Sequence, residues 1–215
     1  METSNLRRAT SYVVALAFVL VMLSLFVCIA LAVALVDGRP VLFRSRRMGR
    51  GGTPFFMYKF RTMRPLRNGE AFHLITTSHD PRVTTLGRTL RRFRLDEWPQ
   101  LLNILKGDMV LVGPRPESPE YAAAYGLQSM GILEQMPGLT DPGTIAYLYE
   151  ETAIVSAAVD PSTAYAQEVM PARNALSLAY ARNATAWSDL IVIAATALVI
   201  FVPSLAGFLG RRLAN

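Results

Sequence analysis

The chain contains few of the residues that build disulfides, thiol nucleophiles and zinc sites. Cys28 is the only cysteine among 215 residues, which excludes an internal disulfide, and its position in an apolar stretch argues against a cysteine nucleophile. The only histidines, His73 and His79, have no cysteine or carboxylate at zinc-ligand spacing, which argues against a zinc site. The sequence also shows no internal repeat and no low-complexity tract.

Charged residues are scarce as well, and acids are fewer than bases. Only 18% of the residues are charged while 52% are hydrophobic, which is unusually apolar for a soluble protein. The net charge is +6 and the sequence pI is about 9.8. This balance suits anionic lipid headgroups, nucleotide phosphates or nucleic acid as partners.

Two long stretches carry no charge. Residues 11–36 exceed the roughly 20 residues that a helix needs to cross a bilayer core. Arginines flank this stretch on both sides, and basic residues stay on the cytoplasmic side, so a re-entrant helix is favoured over a simple span. Residues 190–210 are interrupted by Pro203 and followed by arginines, which predicts a second re-entrant or interfacial element.

The region between these stretches predicts a small α/β domain. We divide the chain into an N-terminal membrane helix (1–37), a cytoplasmic catalytic domain (38–188) and a C-terminal membrane or interfacial segment (189–215). Strands at 41–43 and 54–60 are expected to form a hairpin. Helices are predicted over 86–93, 119–136 and 171–182, and from an Asp96 N-cap to Gly107. Loops are predicted over 64–82, 113–116 and 137–143.

Asp96 and Glu97 are adjacent acids among four arginines, Arg88, Arg91, Arg92 and Arg94. A helix N-terminus holds positive potential and attracts phosphate, and arginine forks match phosphate oxygens. An ionised Asp96 there is placed to attack phosphorus and form an aspartyl-phosphate ester. Glu97 is then a candidate ligand for Mg²⁺, which would neutralise charge on a diphosphate.

Simpler explanations exist for each of these residues. One alternative is that Asp96 is only a helix cap with solvated arginines around it, because capping aspartates are common. Arg115, between two prolines, is either a surface turn or a phosphate contact in a rigid frame. Lys59 and Arg61 alternate with aromatic residues, which can bind nucleic acid but more often marks a strand with one basic face. The remaining acids considered are expected at the surface: Asp141, Glu150 and Glu151.

Several segments together resemble one family. In chain order they are Pro40-Val41-Leu42-Phe43, Arg47-Met48-Gly49, Tyr58-Lys59-Phe60-Arg61-Thr62-Met63, residues 80–91, residues 95–103, Leu105-Lys106-Gly107-Asp108-Met109, Leu111-Val112-Gly113-Pro114-Arg115-Pro116 and Pro137-Gly138-Leu139-Thr140. The series resembles the bacterial sugar transferases, the monotopic phosphoglycosyl transferases that act on polyprenyl phosphate. The resemblance covers nearly the whole chain and indicates the small, single-domain form.

The resemblance implies a reaction and a location. A sugar 1-phosphate would pass from a nucleotide diphosphate-sugar, expected to be a UDP-sugar, to polyprenyl phosphate through a covalent aspartyl intermediate. The domain would lie on the cytoplasmic face of the bacterial inner membrane, anchored in the lipid bilayer by a re-entrant helix and interfacial helices. Such a product initiates the synthesis of exopolysaccharide or of another surface glycoconjugate. Downstream glycosyltransferases are therefore candidate partners, and nucleic acid is not expected as a partner.

The resemblance also assigns residues. Asp96 matches the nucleophile, and Glu97 matches its dyad partner and Mg²⁺ ligand. Arg91 and Arg115 match phosphate-contacting positions. The remaining candidates are Arg88 beside the dyad, Lys59 and Arg61 in a family motif near the site, and Asp189, which matches a further family aspartate with a supporting role.

Two features depart from the family pattern. Members commonly carry a Ser-Pro break in the N-terminal helix, whereas Ser24 is followed here by Leu25. Ser24 can still bend a helix by bonding back to a carbonyl. After residue 140 many members read Gly-x-Ala-Gln, whereas this chain reads Asp141-Pro142-Gly143-Thr144 and resembles a subgroup with an acidic sequel, so that loop's contacts do not transfer.

Two other classes of function remain open on the residues alone. A basic, membrane-anchored module that binds anionic lipid or nucleic acid explains the charge and the apolar ends, but not the paired acids. Its binding would weaken with salt and survive Asp96→Asn. A membrane phosphatase or pyrophosphatase would use the same aspartyl-phosphate but release free sugar phosphate without an acceptor.

Overall fold

The structure is a computed structural model that describes residues 2–66, 76–77, 80–122 and 130–214. Most of the predicted loop over 64–82, including His73 and His79, lies outside these residues. The described chain is a mixed α/β protein dominated by helices, with two small sheets. The α/β prediction is therefore confirmed.

The N-terminal apolar stretch forms two helices, α1 (Glu2–Val21) and α2 (Leu23–Val36), bent by 66° at the break between them. Trp98 fills the angle of this bend: its ring centroid lies 5.1 Å from that of Phe18 in α1 and 5.7 Å from that of Phe26 in α2. In the described residues no single helix is both long and apolar enough to span a membrane, whereas the bent pair together meets that criterion.

The predicted hairpin is confirmed. Strands β1 (Leu42–Met48) and β2 (Pro54–Phe60) pair antiparallel, and β1 continues five residues beyond its expected end at residue 43. Asn103 ties β2 to the helix behind it, since its side chain accepts from the Tyr58 N–H at 3.0 Å and donates to the Phe56 carbonyl at 2.8 Å. The hairpin is thereby fixed against the segment that carries the paired acids.

A helix, a 3₁₀ segment and a second helix follow. They are α3 (Thr85–Arg92), the 3₁₀ segment Leu95–Gln100 and α4 (Leu101–Lys106). Thr84 caps α3 by accepting from the Gly87 N–H at 2.9 Å, and Gly107 ends α4 in the left-handed conformation with φ of 84°. The predicted helix at 86–93 and the helix end at Gly107 are confirmed.

The segment predicted as a loop over 137–143 contains regular structure instead. Strand β4 (Gly138–Thr140) pairs parallel to β3 (Val110–Val112), and helix α7 (Pro142–Ala146) follows at once. A Cβ at residue 138 would lie 2.2 Å from the Gly113 nitrogen, so only glycine allows this close backbone approach. Gly138 allows the strands to pair closely, and Pro142 lies in the first turn of α7. The proline and glycine content of this segment had indicated only a loop.

In sequence order, two of the other described helices lie between β3 and β4, and the rest follow α7. In order they are α5 (Pro119–Ala122), α6 (Met130–Glu134), α8 (Glu150–Ala157), α9 (Pro161–Ala164), the π-helical turn Tyr165–Val169, α10 (Met170–Asn183), α11 (Ala186–Phe201) and α12 (Ala206–Ala214). The helix predicted at 171–182 is confirmed. The one predicted over 119–136 is described only at its ends and stops at Glu134, earlier than expected.

The main hydrophobic core draws on all three predicted segments of the chain. It includes Ala15 of α1, Ile104 of α4, Val112 of β3, Ile145 of α7 and Val192 of α11, all buried. A second cluster packs Ile29 and Val33 of α2 against Phe60 and Leu90. Both apolar ends of the chain are thus packed partly onto the central domain, and the rest of their surface remains exposed.

Candidate active site

The paired acids lie in a tight turn rather than at a helix N-terminus. Arg94, two residues after the end of α3, adopts a left-handed conformation with φ of 58°, and the 3₁₀ segment begins at the next residue. The expectation that Asp96 caps a helix is wrong, because Asp96 is the second residue of that segment and Arg94 occupies the capping position, where its side chain makes no capping hydrogen bond. Asp96 and Glu97 are nevertheless buried, at 7% and 6% exposure.

Glu97 is held by cationic side chains from three parts of the chain. Its Oε1 accepts from the Lys59 Nζ at 2.8 Å, its Oε2 accepts from Arg94 at 2.9 Å, and Arg115 lies 3.7 Å from Oε1. Burial alone would raise the pKa of Glu97, but Arg94, Lys59 and Arg115 together hold it well below its usual range. Glu97 is therefore an anchored anion.

Asp96 is the contrasting carboxylate. Within the described ranges its side chain makes no hydrogen bond and no ion pair. Burial raises the pKa of Asp96, and the negative charge of Glu97 raises it further, while Lys59, Arg94 and Arg91 partly oppose both effects. Neighbouring acids with oppositely shifted pKa values are typical of sites that assign different roles to two carboxylates.

Two of the predicted phosphate ligands lie near the dyad. Arg91 is half-buried and donates from Nε to the Thr62 hydroxyl at 2.8 Å, and its guanidinium interacts electrostatically with Asp96. Arg115 lies 3.7 Å from Glu97, and its pKa is raised because the attraction of Glu97 and Glu151 outweighs the effect of burial. The structure thus brings Arg91 and Arg115 together with the acids, as the sequence analysis expected.

Lys59, Arg61 and Arg88 have contacts that the sequence did not indicate. Lys59 is paired with Glu97. Arg61 donates to the carbonyls of Arg39 at 2.9 Å and Gly38 at 2.6 Å, and so closes the chain around the end of α2. Arg88 is exposed and contacts Val83 and Thr85 at the start of its own helix. The contacts of Arg61 and Arg88 are with scaffold atoms, not with the dyad.

Asp189 belongs to a different cluster. Its carboxylate accepts from Arg7 at 2.7 Å and 2.8 Å, and from the Tyr180 hydroxyl at 2.8 Å. These bonds join α1, α10 and α11. The Arg7 side chain also reaches the Val112 carbonyl at 3.4 Å. Within the described part of the chain, the hydrogen bonds of Asp189 therefore tie the two apolar ends to the central domain and do not include the dyad.

A buried charge network that the sequence analysis did not identify stands behind Arg115. Arg173 and Glu117 form an ion pair with side chains only 1% exposed, and the Tyr165 hydroxyl lies 2.8 Å from both partners. Arg173 also reaches Glu151 at 3.0 Å. In the sequence these two residues are only a glutamate directly after Pro116 and an arginine within a predicted helix. Nothing in the sequence shows that either is buried, so their pairing could not be predicted.

The three acids expected at the surface behave differently from one another. Glu150 forms an exposed pair with Arg211 at 2.8 Å, as expected. Glu151 is only partly exposed because it pairs with Arg173. Asp141 is a correction: it is 1% exposed and caps α7 by accepting from the Thr144 N–H at 2.6 Å. The Asp141-Pro142 pair is an N-cap followed by a first-turn proline, a signal present in the sequence.

The oxygen donors of the dyad suit a divalent cation that takes its remaining ligands from the substrate. In the residues that the structure describes, no group of three or more histidine, cysteine or acidic side chains is arranged to hold a metal. The site instead offers two adjacent carboxylates, and each oxygen of an ionised carboxylate retains a lone pair beyond one hydrogen bond. Mg²⁺ commonly binds through one or two carboxylates together with substrate phosphates, so the residues fit such an ion.

Comparison with known proteins identifies the family. A family model for bacterial sugar transferases matches residues 2–203. The chain is 34% identical over 200 residues to a UDP-glucose:undecaprenyl-phosphate glucose-1-phosphate transferase of Escherichia coli K12, covering 92% of this chain and 40% of that protein. A Caulobacter vibrioides protein of the same name is 36% identical over 213 residues, covering 94% of this chain and 70% of that protein.

A shorter relative extends the comparison. The exopolysaccharide production protein ExoY of Sinorhizobium fredii is 34% identical over 150 residues, covering 62% of this chain and 66% of that protein. The chain therefore spans between 40% and 70% of the lengths of these relatives. It belongs to the bacterial sugar transferase family, and the predicted family is confirmed.

Proposed function

We propose that this protein transfers a sugar 1-phosphate from a UDP-sugar to polyprenyl phosphate through an aspartyl-phosphosugar intermediate. The observation that carries the proposal is the contrast between the environments of the two adjacent acids. Glu97 is held by Lys59 and Arg94, whereas Asp96 beside it has no partner among the described residues. The names of the relatives, which specify undecaprenyl phosphate and UDP-glucose, support the same reaction class.

The first step joins Asp96 to the donor. A carboxylate oxygen of Asp96 attacks the phosphorus that carries the sugar, and the bond from that phosphorus to the bridging oxygen breaks. The electron pair leaves on the nucleoside monophosphate. Arg91 and Arg115 bind phosphate oxygens and offset the charge that develops on them.

The second step passes the sugar phosphate to the lipid. A phosphate oxygen of polyprenyl phosphate attacks the same phosphorus, and the acyl phosphate bond from that phosphorus to the Asp96 oxygen breaks, which restores the carboxylate. Glu97 stays ionised throughout because its cationic partners hold its pKa low. Glu97 would hold Mg²⁺ together with the donor diphosphate, and the bound ion would neutralise phosphate charge.

The bent helix pair is proposed to enter and leave the cytoplasmic leaflet of the bacterial inner membrane. Large apolar side chains cover its outer surface, among them Leu20, Leu31 and Leu35 at 64%, 55% and 84% exposure. Trp98 packs into the bend and directly follows Glu97 in the chain. The acids would therefore lie at the membrane surface, where a polyprenyl phosphate headgroup is available, with α11 and α12 as interfacial helices.

The lipid-linked sugar phosphate would be a starting unit for surface glycans. Such a product is consumed by glycosyltransferases that add further sugars, which are the expected downstream partners. One relative is named for exopolysaccharide production, in agreement with that use.

The proposal is tested by mixing purified protein with Mg²⁺ and a panel of UDP-sugars, with and without polyprenyl phosphate. We expect UMP release that requires the acceptor for repeated turnover, and a mass increment of one sugar phosphate on the protein when donor is supplied alone. Asp96→Asn should lose the increment and at least about a thousandfold of the rate. Asp160→Asn, which alters an exposed cap of α9, serves as the matched control.

Three results would contradict the proposal. Retained turnover in Asp96→Asn would remove the nucleophile assignment. Release of free sugar phosphate in the absence of acceptor would indicate a phosphatase. Lipid binding that falls with salt, with no UMP release from any donor, would indicate a binding module.

A further inference from the structure

Arg47 has no assigned role in the proposed reaction, although it lies beside the site. It is the penultimate residue of β1 and is half-buried. Its Nε donates to the Ser45 hydroxyl at 3.0 Å, and its guanidinium donates to the Pro116 carbonyl at 3.4 Å. In the part of the chain that the structure describes, no carboxylate lies within ion-pair distance of Arg47.

The backbone fixes Arg47 next to Arg115. The Met48 N–H donates to the Glu117 carbonyl at 2.8 Å, so the end of β1 is bonded to the segment that contains Arg115. The Arg47 guanidinium bonds to the Pro116 carbonyl, one residue further on than Arg115. The two arginines are therefore held near each other by main-chain contacts and not by a shared acid.

This arrangement is electrostatically unfavourable without an anion. Burial lowers the pKa of Arg47, and the like charge of Arg115 lowers it further. The acids nearby, Glu97 and Glu117, are already bound by other cations. An excess of partly buried positive charge next to a reactive carboxylate suits an anion with two or more charges, such as a diphosphate.

The position of Arg47 relative to the dyad indicates which phosphate it contacts. The Arg47 guanidinium bonds to the Pro116 carbonyl, directly after Arg115, and Arg115 lies 3.7 Å from a carboxylate oxygen of Glu97. The charge that raises the pKa of Arg91 most is that of Asp96. Arg47 is thus grouped with Arg115 at Glu97 and not with Arg91 at Asp96.

We propose that Arg47 and Arg115 form a two-guanidinium clamp on the donor phosphate that departs with the nucleoside. This inference rests on the proposed function, because it assigns the two halves of the diphosphate. The phosphorus attacked by Asp96 keeps the sugar, and the clamp receives the oxygen on which the electron pair leaves. In the second step the nucleotide has already departed, so the clamp does not act on transfer to the lipid.

Binding measurements provide the first test. Calorimetric titration of the full chain in detergent with UDP, UMP and inorganic pyrophosphate should show binding that weakens by about tenfold or more in Arg47→Met. Arg46→Met is the matched control, because Arg46 is the preceding residue of the same strand and is exposed. Pyrophosphate carries no base, so a loss shared by UDP and pyrophosphate identifies phosphate recognition.

Half-reaction kinetics provide the second test. Arg47→Met should form the covalent adduct more slowly than wild type from the same donor. Once the adduct has accumulated and the nucleotide has been removed, transfer to polyprenyl phosphate should proceed at the wild-type rate. A merely structural role of Arg47 would slow both half-reactions, and that result overturns the clamp.

Other outcomes also decide the question. If Arg47→Met does not fold, Arg47→Gln keeps a polar side chain and should show the same loss of UDP binding. UDP binding within roughly twofold of wild type in Arg47→Gln, or no measurable UDP binding by wild type, overturns the clamp. If wild type binds UDP through Arg47 but forms no adduct with any donor, the proposed function fails, the assignment of a departing phosphate fails with it, and only diphosphate binding by Arg47 remains.

Discussion

Two buried charge clusters of this protein show how similar groups serve different purposes. Around Glu117 and Arg173, each ionised group has its partner, and a tyrosine hydroxyl completes the cluster. Around Asp96 and Glu97, cations outnumber the acids, yet Asp96 is left without a bond among the described residues. In the first cluster every charged group has an oppositely charged partner, although the Arg173 Nε makes no hydrogen bond among the described residues. The second cluster holds more cations than acids.

The difference follows from the energetics of burial. A buried charge without a partner is strongly destabilising, so each charge of a purely structural cluster is expected to have an oppositely charged partner. The site around the dyad departs from this expectation through cationic side chains from separate elements: Lys59, Arg91, Arg94, Arg115 and Arg47. Functional sites commonly hold such unfavourable arrangements because the ligand supplies what is missing.

The largest effect is expected from a substitution that breaks the Arg173–Glu117 cluster. Arg173→Met should lower the free energy of unfolding by about 3–5 kcal/mol, because it leaves Glu117 buried and uncompensated. Equilibrium unfolding in detergent measures the loss. The control is Arg211→Met, which opens the exposed pair with Glu150 and should change stability by less than about 1 kcal/mol.

A double variant sharpens the same comparison. Adding Glu117→Gln to Arg173→Met removes the stranded charge and should recover part of the lost stability. Strict additivity of the two losses would instead mean that packing, and not charge, holds this cluster. Equal losses of unfolding free energy from Arg173→Met and Arg211→Met would show that the buried Arg173–Glu117 pair stabilises the protein no more than the exposed Arg211–Glu150 pair.

The second effect concerns the dyad. Glu97→Gln should slow adduct formation by roughly 10- to 100-fold, because it removes the anchored anion that positions Lys59 and Arg94 and is proposed to hold Mg²⁺. It should also move the acid limb of the pH–rate profile to lower pH. Loss of the negative neighbour and release of the two cations both favour ionised Asp96, and so both lower its pKa.

The matched change at Arg94 should act in the opposite direction. Arg94→Gln removes a cation that lowers the pKa of Asp96, so the acid limb should move to higher pH. Arg92→Gln, at an exposed arginine over the Phe93 ring, should leave the limb unchanged. Rates of adduct formation across a pH series decide this, and equal shifts of one sign for Glu97→Gln and Arg94→Gln would contradict the assignment.

The sequence predicted the elements with strong local signals. The hairpin was indicated by apolar segments around a glycine-rich turn, and α4 by its apolar spacing and Gly107. It did not predict the left-handed Arg94 or the 3₁₀ turn, because an aspartate followed closely by proline is also the usual start of an α-helix. The strand at Gly138–Thr140 was missed since three residues are too few to show periodicity.

The candidate site was predicted unevenly for a similar reason. Adjacent acids are visible in a sequence, so the dyad was found, and so were Arg91 and Arg115. Arg173 and Glu117 are separated by 56 residues and become partners only through the fold. No spacing rule connects such residues, which is why the cluster behind Arg115 emerged from the structure alone.

A third effect separates Asp189 from the dyad. Asp189→Asn should lower the free energy of unfolding by about 1–2 kcal/mol, because it weakens bonds to Arg7 and Tyr180 that join three helices. Adduct formation per folded molecule should remain close to wild type. A large loss of adduct formation with unchanged stability would instead assign Asp189 to the chemistry, in the supporting role that the family resemblance implied.

The smallest effect tests the dyad through stability. The pKa of Asp96 is raised in the folded protein, so its ionised form lowers stability at pH values above that pKa. Asp96→Asn should therefore raise the free energy of unfolding at neutral pH by about 0.5–2 kcal/mol while abolishing adduct formation. Unfolding curves of both proteins near pH 7 and in acid measure this, and the gain should vanish once the wild-type carboxyl is protonated.

Glu97→Gln, one residue away, should change the free energy of unfolding in the opposite direction. The pKa of Glu97 is lowered by its cationic partners, so its ionised form contributes stability at neutral pH, which is lost as the pH falls through the folded-state pKa. The variant should therefore be less stable than wild type at pH 7. If removal of either charge changed stability in the same direction, the two carboxylates would not occupy contrasting environments, and the division of roles between nucleophile and anchor would lose its physical basis.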